Sequence, residues 1–156
     1  MTKQEFKEFC KVQFHSKGFI KVKKMFYFDS DSDILCGIDL QKSNFGNTYY
    51  VNVYFFVKSF IEHDLYPTYL EADFNRRIMI MSKKQTYQGE VFLTPQIEYE
   101  EYESEELGMY FQQNFEEWIM PAIEKGIGYI AERVNDNFFA PNYARRERVL
   151  EILEKA

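Results

Sequence analysis

Between Ile34 and Val57 the chain alternates strictly. Ile34, Cys36, Ile38 and Leu40 share one parity; past the corner Ser43-Asn44-Phe45-Gly46-Asn47, Tyr49, Val51, Val53, Phe55 and Val57 share one parity again. A period of two marks a half-buried strand, in which successive side chains point to opposite faces. Two such runs around a short Asn/Gly-rich connection predict an antiparallel hairpin, because Gly46 and the two Asn tolerate the positive φ at which a chain reverses. The other face then carries Gly37, Asp39 and Gln41 from the first run and Tyr50, Asn52, Tyr54 and Phe56 from the second.

The flanking segments extend this frame. Thr2 and Glu5 form a capping-box pattern, and Phe6, Phe9, Cys10 and Phe14 follow at helical steps until Gly18, which predicts a helix over 3–17. Short two-period runs, Phe19 to Val22 and Met25 to Phe28, read as strands before the polar break Asp29-Ser30-Asp31-Ser32-Asp33. After Pro67, two further strands are expected over 77–82 and 90–100, the second at an edge or interrupted because of Pro95. From Ser104 an apolar stripe through Leu107, Phe111, Phe115, Trp118, Ile119, Ala122 and Ile123 predicts the main helix, with a kink near Glu117 or a restart at Pro121. A last helix after Pro141-Asn142 shows Val149, Leu150 and Leu153 on one face. Strands grouped together rather than alternating with helices point to an α+β fold, an antiparallel sheet of five or six strands with an N-terminal helix and C-terminal helices packed on one face. At 156 residues a single domain is expected.

Composition narrows the functional classes. Cys10 and Cys36 are too few and too far apart for a disulfide framework or a C-x-x-C site, and they read as buried apolar residues of a reducing compartment. No leader-like segment and no long uninterrupted apolar run is present, so a cytoplasmic protein without a membrane contact is expected. The net charge of −6 is segregated: residues 1–24 carry seven Lys and two Glu, a net +5, which leaves −11 for the remainder. Six Glu fall between Glu98 and Glu106. An acidic chain repels phosphate backbones, which argues against nucleic acid and for a basic protein partner.

The helix ending in KGFIKVKKMFYF, the run ILCGIDLQKSNFGNTYYVNVYF, and Asp73 with Arg76-Arg77 before a strand together resemble the bacterial proteins grouped as domain of unknown function 4304, most specifically over Gly18 to Phe55. The resemblance implies a small cytosolic domain with no assigned activity, so it carries over no catalytic residue.

Candidate sites must therefore come from the residues. Lys42, Asn44 and Asn47 at the corner, with Tyr50, Asn52 and Tyr54 on the face opposite the core, offer a cation, amides and phenols for a small polar ligand. Turn chemistry alone explains the Asn and Gly, and Lys42 also reads as a solvated strand end. Glu98, Glu100, Glu101 and Glu103, interleaved with Tyr99 and Tyr102, suit a docking edge for a basic partner, or a charged edge that resists aggregation. Asp29, Asp31 and Asp33 begin a calcium-loop spacing that fails at Ile34 and Leu40, so a solvated turn and no metal are expected. His15 and His63 lack any nucleophile motif and read as capping or surface residues. No cofactor motif is present. The leading expectation is a non-catalytic protein-binding module, immunity-like in binding a basic partner through an acidic edge. The alternatives are a small polar ligand-binding or ligand-processing domain, and a structural monomer or homodimer built on a sheet edge.

Overall fold

The computed structural model describes residues 1–62, 65–84, 86–136 and 138–156. Helix α1, Lys3–Ser16, starts as its sequence requires: the Thr2 hydroxyl accepts the Glu5 N–H and the Glu5 carboxylate accepts the Thr2 N–H, both at 3.1 Å. Phe6, Cys10 and Phe14, four residues apart, form its buried stripe. The helix ends at Gly18, whose φ of +96° lets its N–H reach the His15 carbonyl while the Phe19 N–H reaches Phe14. A Cβ at Gly18 would lie 2.9 Å from the Phe28 ring, so close packing as well as backbone conformation selects glycine.

Six antiparallel strands follow in the order β1 (Ile20–Val22), β2 (Met25–Asp29), β3 (Ile34–Lys42), β4 (Tyr49–Val57), β5 (Phe74–Arg77) and, last in sequence, β8 (Ala140–Pro141). The predicted hairpin is present: β3 pairs with β4 in continuous register from Ile34 opposite Val57 to Lys42 opposite Tyr49. Its turn is closed by the Ser43 N–H on the Thr48 carbonyl, with Gly46 at φ +93°. Ile34, Cys36, Ile38, Val51, Val53 and Phe55 are all fully buried in the main core. Each such side chain contributes roughly 1.5 to 3 kcal/mol relative to exposure. The other face is covered at one end by a second, smaller apolar cluster of Met25, Tyr27, Leu35, Phe56 and Ala72. Both sheet edges are short: β1 has three residues followed by Lys23 and Lys24, and β8 has two.

The helical layer is α2 (Ser104–Asn114), a π-helical turn (Phe115–Ile119), α3 (Met120–Lys125), α4 (Ile127–Asn135) and α5 (Arg146–Lys155). The expected kink takes the form of this π turn, which spans Glu117 and runs without a break in the helical backbone into Pro121, so the wider turn sits where the proline can donate no helical bond. Asn114 pins the helix to the strand layer. Its side chain accepts from the Met79 N–H at 3.1 Å and from the Trp118 indole at 2.9 Å, and donates to the Met79 carbonyl at 2.8 Å.

Three expectations need correction. The strand expected over 77–82 is split: β5 ends at Arg77, Met79 is held by Asn114, and β6 (Ile80–Met81) joins a separate two-stranded sheet with β7 (Leu93–Thr94). The strand expected over 90–100 shrinks to β7 and a bridge from Ile97 to Tyr49, because Pro95 cannot donate and Tyr99–Glu101 turns into a 3-10 helix. On α5 the buried positions are Val149 and Ile152, with Leu153 partly buried, whereas Leu150 lies a third of a turn away and is 46% exposed. The Asp/Ser run is a turn with Asp29, Asp31 and Asp33 exposed, and it also contacts the helices. The Ser32 hydroxyl donates to the Ile123 carbonyl at 2.6 Å, and Asp33 accepts the Ile127 N–H at 3.0 Å, across Gly126 at φ +75°. Asp29 pairs with Lys58 at 2.7 Å.

The C-terminal helix is tied to the sheet by a buried ion pair, Arg148 Nε to Asp73 Oδ1 at 2.8 Å, with the other Asp73 oxygen accepting the Val57 N–H at 2.8 Å. Removing only the cation strands a fully buried carboxylate. Arg148→Ala is expected to lower the unfolding free energy by about 3 to 5 kcal/mol in urea titration; a loss below about 1 kcal/mol contradicts this role for the pair.

Candidate functional site

The sheet face opposite the main core gathers three of the expected ligand residues. Register places Gln41 opposite Tyr50, Asp39 opposite Asn52 and Gly37 opposite Tyr54, while β5 brings Arg77 beside Asn52. The Asn52 amide donates to Asp39 at 2.9 Å and to Gln41 at 3.0 Å, and its carbonyl oxygen accepts from Arg77 Nε at 2.9 Å. Arg77 also donates to Gln41 at 3.2 Å and stacks over the Tyr50 ring at 4.0 Å. The Tyr54 hydroxyl donates to Asp39 at 3.3 Å. Burial raises the Asp39 carboxyl above its ordinary value, against the bonds from Asn52 and Tyr54 and the charge of Arg77. Burial also pushes the Tyr54 phenol up, together with the Asp39 carboxylate. Donors and acceptors here answer one another, which makes the cluster a rigid polar patch.

Lys42 does not belong to this patch. It shares the parity of Ile34 to Leu40 and therefore points to the opposite side of the sheet, exposed at the strand end. Asn44 is exposed on the turn. Asn47 leans the other way, donating to Glu100 Oε1 at 2.7 Å. That bond joins the hairpin turn to the acidic run. Between them lies an open cleft of about 350 Å³ lined by Phe45, Asn47, Lys84, Glu98, Glu100 and Glu101. Phe45 stands at its rim, 90% exposed, with its N–H bonded to the Ser43 hydroxyl at 3.1 Å. Lys84 reaches Glu101 at 3.2 Å.

Within the acidic run the aromatic and acidic residues separate. Tyr99 and Tyr102, expected on a docking edge, are both 4% exposed. Tyr99 stacks on Phe6, with ring centroids 5.6 Å apart. Tyr102 donates to the Met81 carbonyl at 2.6 Å, and burial together with Glu101 pushes its phenol up to about 12. These rings hold the segment to the core, because the 3-10 turn Tyr99–Glu101 directs them inward. Glu100 and Glu103 are exposed, and Glu98 and Glu101 are half-buried. The acidic residues thus remain at the surface without the edge strand expected to present them.

The other expected sites are bland. Among the described residues no three His, Cys, Asp or Glu side chains converge as metal ligands. Cys10 and Cys36 are buried free thiols whose ionisation burial pushes far up. The His15 ring packs edge-on against Phe26, with centroids 5.7 Å apart, and His63 lies outside the described residues. No described helix is long and apolar enough to cross a membrane. Asp39 and Gln41 could have been placed opposite Asn52 and Tyr50 by counting from the hairpin turn. The arrival of Arg77 from β5 and the proximity of Phe45 to Glu100 have no local signal.

The model of the family described as Domain of unknown function (DUF4304) matches residues 12–104, more than half of the chain, and the chain belongs to that family. No curated protein and no solved structure matches it. The matched span begins within α1 and ends at the first residue of α2, so it contains the hairpin, the polar patch and the acidic cleft.

Because the folded state holds the Asp39 proton more tightly than the unfolded chain, this group makes stability fall as pH rises from the unfolded carboxyl value, near about 3.9, through its higher folded value. Asp39→Asn removes that term. In thermal melts the stability of Asp39→Asn relative to the unsubstituted protein is expected to be greater at pH 7 than at pH 4; the reverse order contradicts the burial of this carboxyl.

Proposed function

We propose that this protein is a non-catalytic binding module whose acidic end receives a basic partner protein, in the manner of an immunity protein that neutralises a toxin. One observation carries the reading: an almost fully exposed Phe45 and the carboxylates of Glu98, Glu100 and Glu101 border a single open cleft. An aromatic side chain on a turn held by side-chain hydrogen bonds is a low-entropy anchor, and a predominantly acidic rim, three Glu against Lys84, steers and orients an oppositely charged partner. The polar patch on the sheet supports a small-ligand reading less well, because its amides, guanidinium and carboxylate already satisfy one another.

Capture from the native host on immobilised protein is expected to recover a basic protein, with binding that weakens as salt rises. Phe45→Ala is expected to cost about 2 kcal/mol of affinity and a combined Glu98→Gln, Glu100→Gln, Glu101→Gln variant at least as much, read by calorimetry on the captured partner. Unchanged affinity in both variants overturns the assignment of this surface.

A further inference from the structure

Helix α1 presents three distinct stripes. Phe6, Cys10 and Phe14 face the core, and Lys3, Lys7 and Lys11 form an exposed row with the same four-residue spacing. The third stripe, Glu5, Glu8, Phe9 and Val12 at steps of three, four and seven, lines an open groove of about 400 Å³ whose far side is Tyr102, Glu103 and Ser104. The groove floor is apolar. Phe9 is half-buried against Phe111 with ring centroids 5.1 Å apart, and Val12 is 56% exposed. The rim is acidic, and among the described residues neither Glu8 nor Glu103 is paired with a cation. The lysines of α1 sit on their own stripe, whereas Glu5 is engaged by the Thr2 cap and by the Met1 ammonium, which also borders the groove, so Glu8 and Glu103 are the rim carboxylates left for an incoming cation.

We infer that this groove between α1 and the start of α2 docks an amphipathic basic helix of a partner protein, apolar side chains on Phe9 and Val12 and flanking Lys or Arg against Glu8 and Glu103. The argument is charge complementarity around an apolar strip: Glu8 and Glu103 on opposite sides of an open groove floored by Phe9 and Val12 select an occupant with one greasy face and cationic edges, as in other helix-in-groove recognition. The inference rests on the protein-binding reading and adds a second contact to it, on the far side of Tyr102 from the Phe45 cleft. The two surfaces share no carboxylate, since Glu98, Glu100 and Glu101 line one and Glu5, Glu8 and Glu103 the other.

The test uses the full chain and three probe peptides of about four helical turns: a Leu/Lys amphipathic helix, its Leu/Glu counterpart, and a Lys-rich peptide of equal charge without an apolar face. Fluorescence anisotropy is expected to show binding of the Leu/Lys helix alone. Val12→Lys and the double variant Glu8→Gln, Glu103→Gln should each weaken it by about tenfold or more, while Phe45→Ala leaves it unchanged. Absence of binding, equal binding of the Lys-rich peptide, or equal binding to both groove variants overturns the inference. Concentration-dependent dimerisation that Val12→Lys abolishes also overturns it, by assigning the groove to a second copy whose Lys3, Lys7 and Lys11 stripe fills it. If Val12→Lys melts more than a few degrees low, the Glu8, Glu103 double variant at exposed positions decides. Loss of host-partner capture by Phe45→Ala with none in the groove variants refutes this inference while sparing the proposed function; the converse refutes the Phe45 cleft and spares the groove.

Discussion

The pairing of β3 with β4 is the constraint on which the rest of the molecule depends. Nine consecutive residues of each strand are in register, and a slip of one would turn Ile34, Cys36, Ile38, Val51, Val53 and Phe55 away from the core and put Asp39, Asn52 and Tyr54 into it. The cost of such a slip is on the order of the whole stability of an ordinary domain, so the register is effectively single-valued. With it settled, one sheet face must be covered by helices, and α1 with α2, the π turn and α3 supplies that cover through Phe6, Phe14, Phe111, Phe115 and Trp118.

Apolar cover sets which layers meet but not at what angle, and directional polar contacts supply that. Asn114 bonds both backbone groups of Met79, Ser32 and Asp33 hold the α3–α4 junction at Gly126, and Asp73 receives Arg148 from α5. Each contact is directional and costly to leave half-made, so together they select one arrangement among the many a greasy interface would tolerate. The acidic run is held by the same logic from the other side. Tyr99 and Tyr102 anchor it to the core, which leaves its carboxylates at the surface between the hairpin turn and α1.

Much of this was legible in the chain wherever one local rule decided the outcome. The Thr2–Glu5 cap, the Gly18 stop, the parity of the hairpin and the burial of both cysteines follow from spacing alone. Tertiary partners override it elsewhere. Nothing local announces that Ser32 would bond Ile123 or that Tyr99 would stack on Phe6, since those partners are some ninety residues away. Lys42 shows a different limit: its parity with Leu40 was available and separates it from Tyr50 and Asn52, but chemical type suggested grouping them. Val12 was invisible for a related reason, as the stripe that matters at a binding groove is the one helix periodicity assigns to solvent.

The functional account follows from where apolar side chains are left uncovered beside charge. On the sheet face Asp39, Gln41, Asn52, Tyr54 and Arg77 close on themselves, whereas at the acidic end exposed carboxylates border apolar side chains that nothing covers. A rigid hairpin presenting an exposed turn and acidic segment at its end is the physical premise of that account, and native-state hydrogen exchange examines it directly. The amides of Cys36, Ile38, Val51 and Val53 should exchange only through global unfolding, with the full denaturant dependence, while those of Phe45 and Glu100 to Glu103 exchange through local opening. Exchange of the β3 and β4 amides by small, denaturant-independent openings would contradict it.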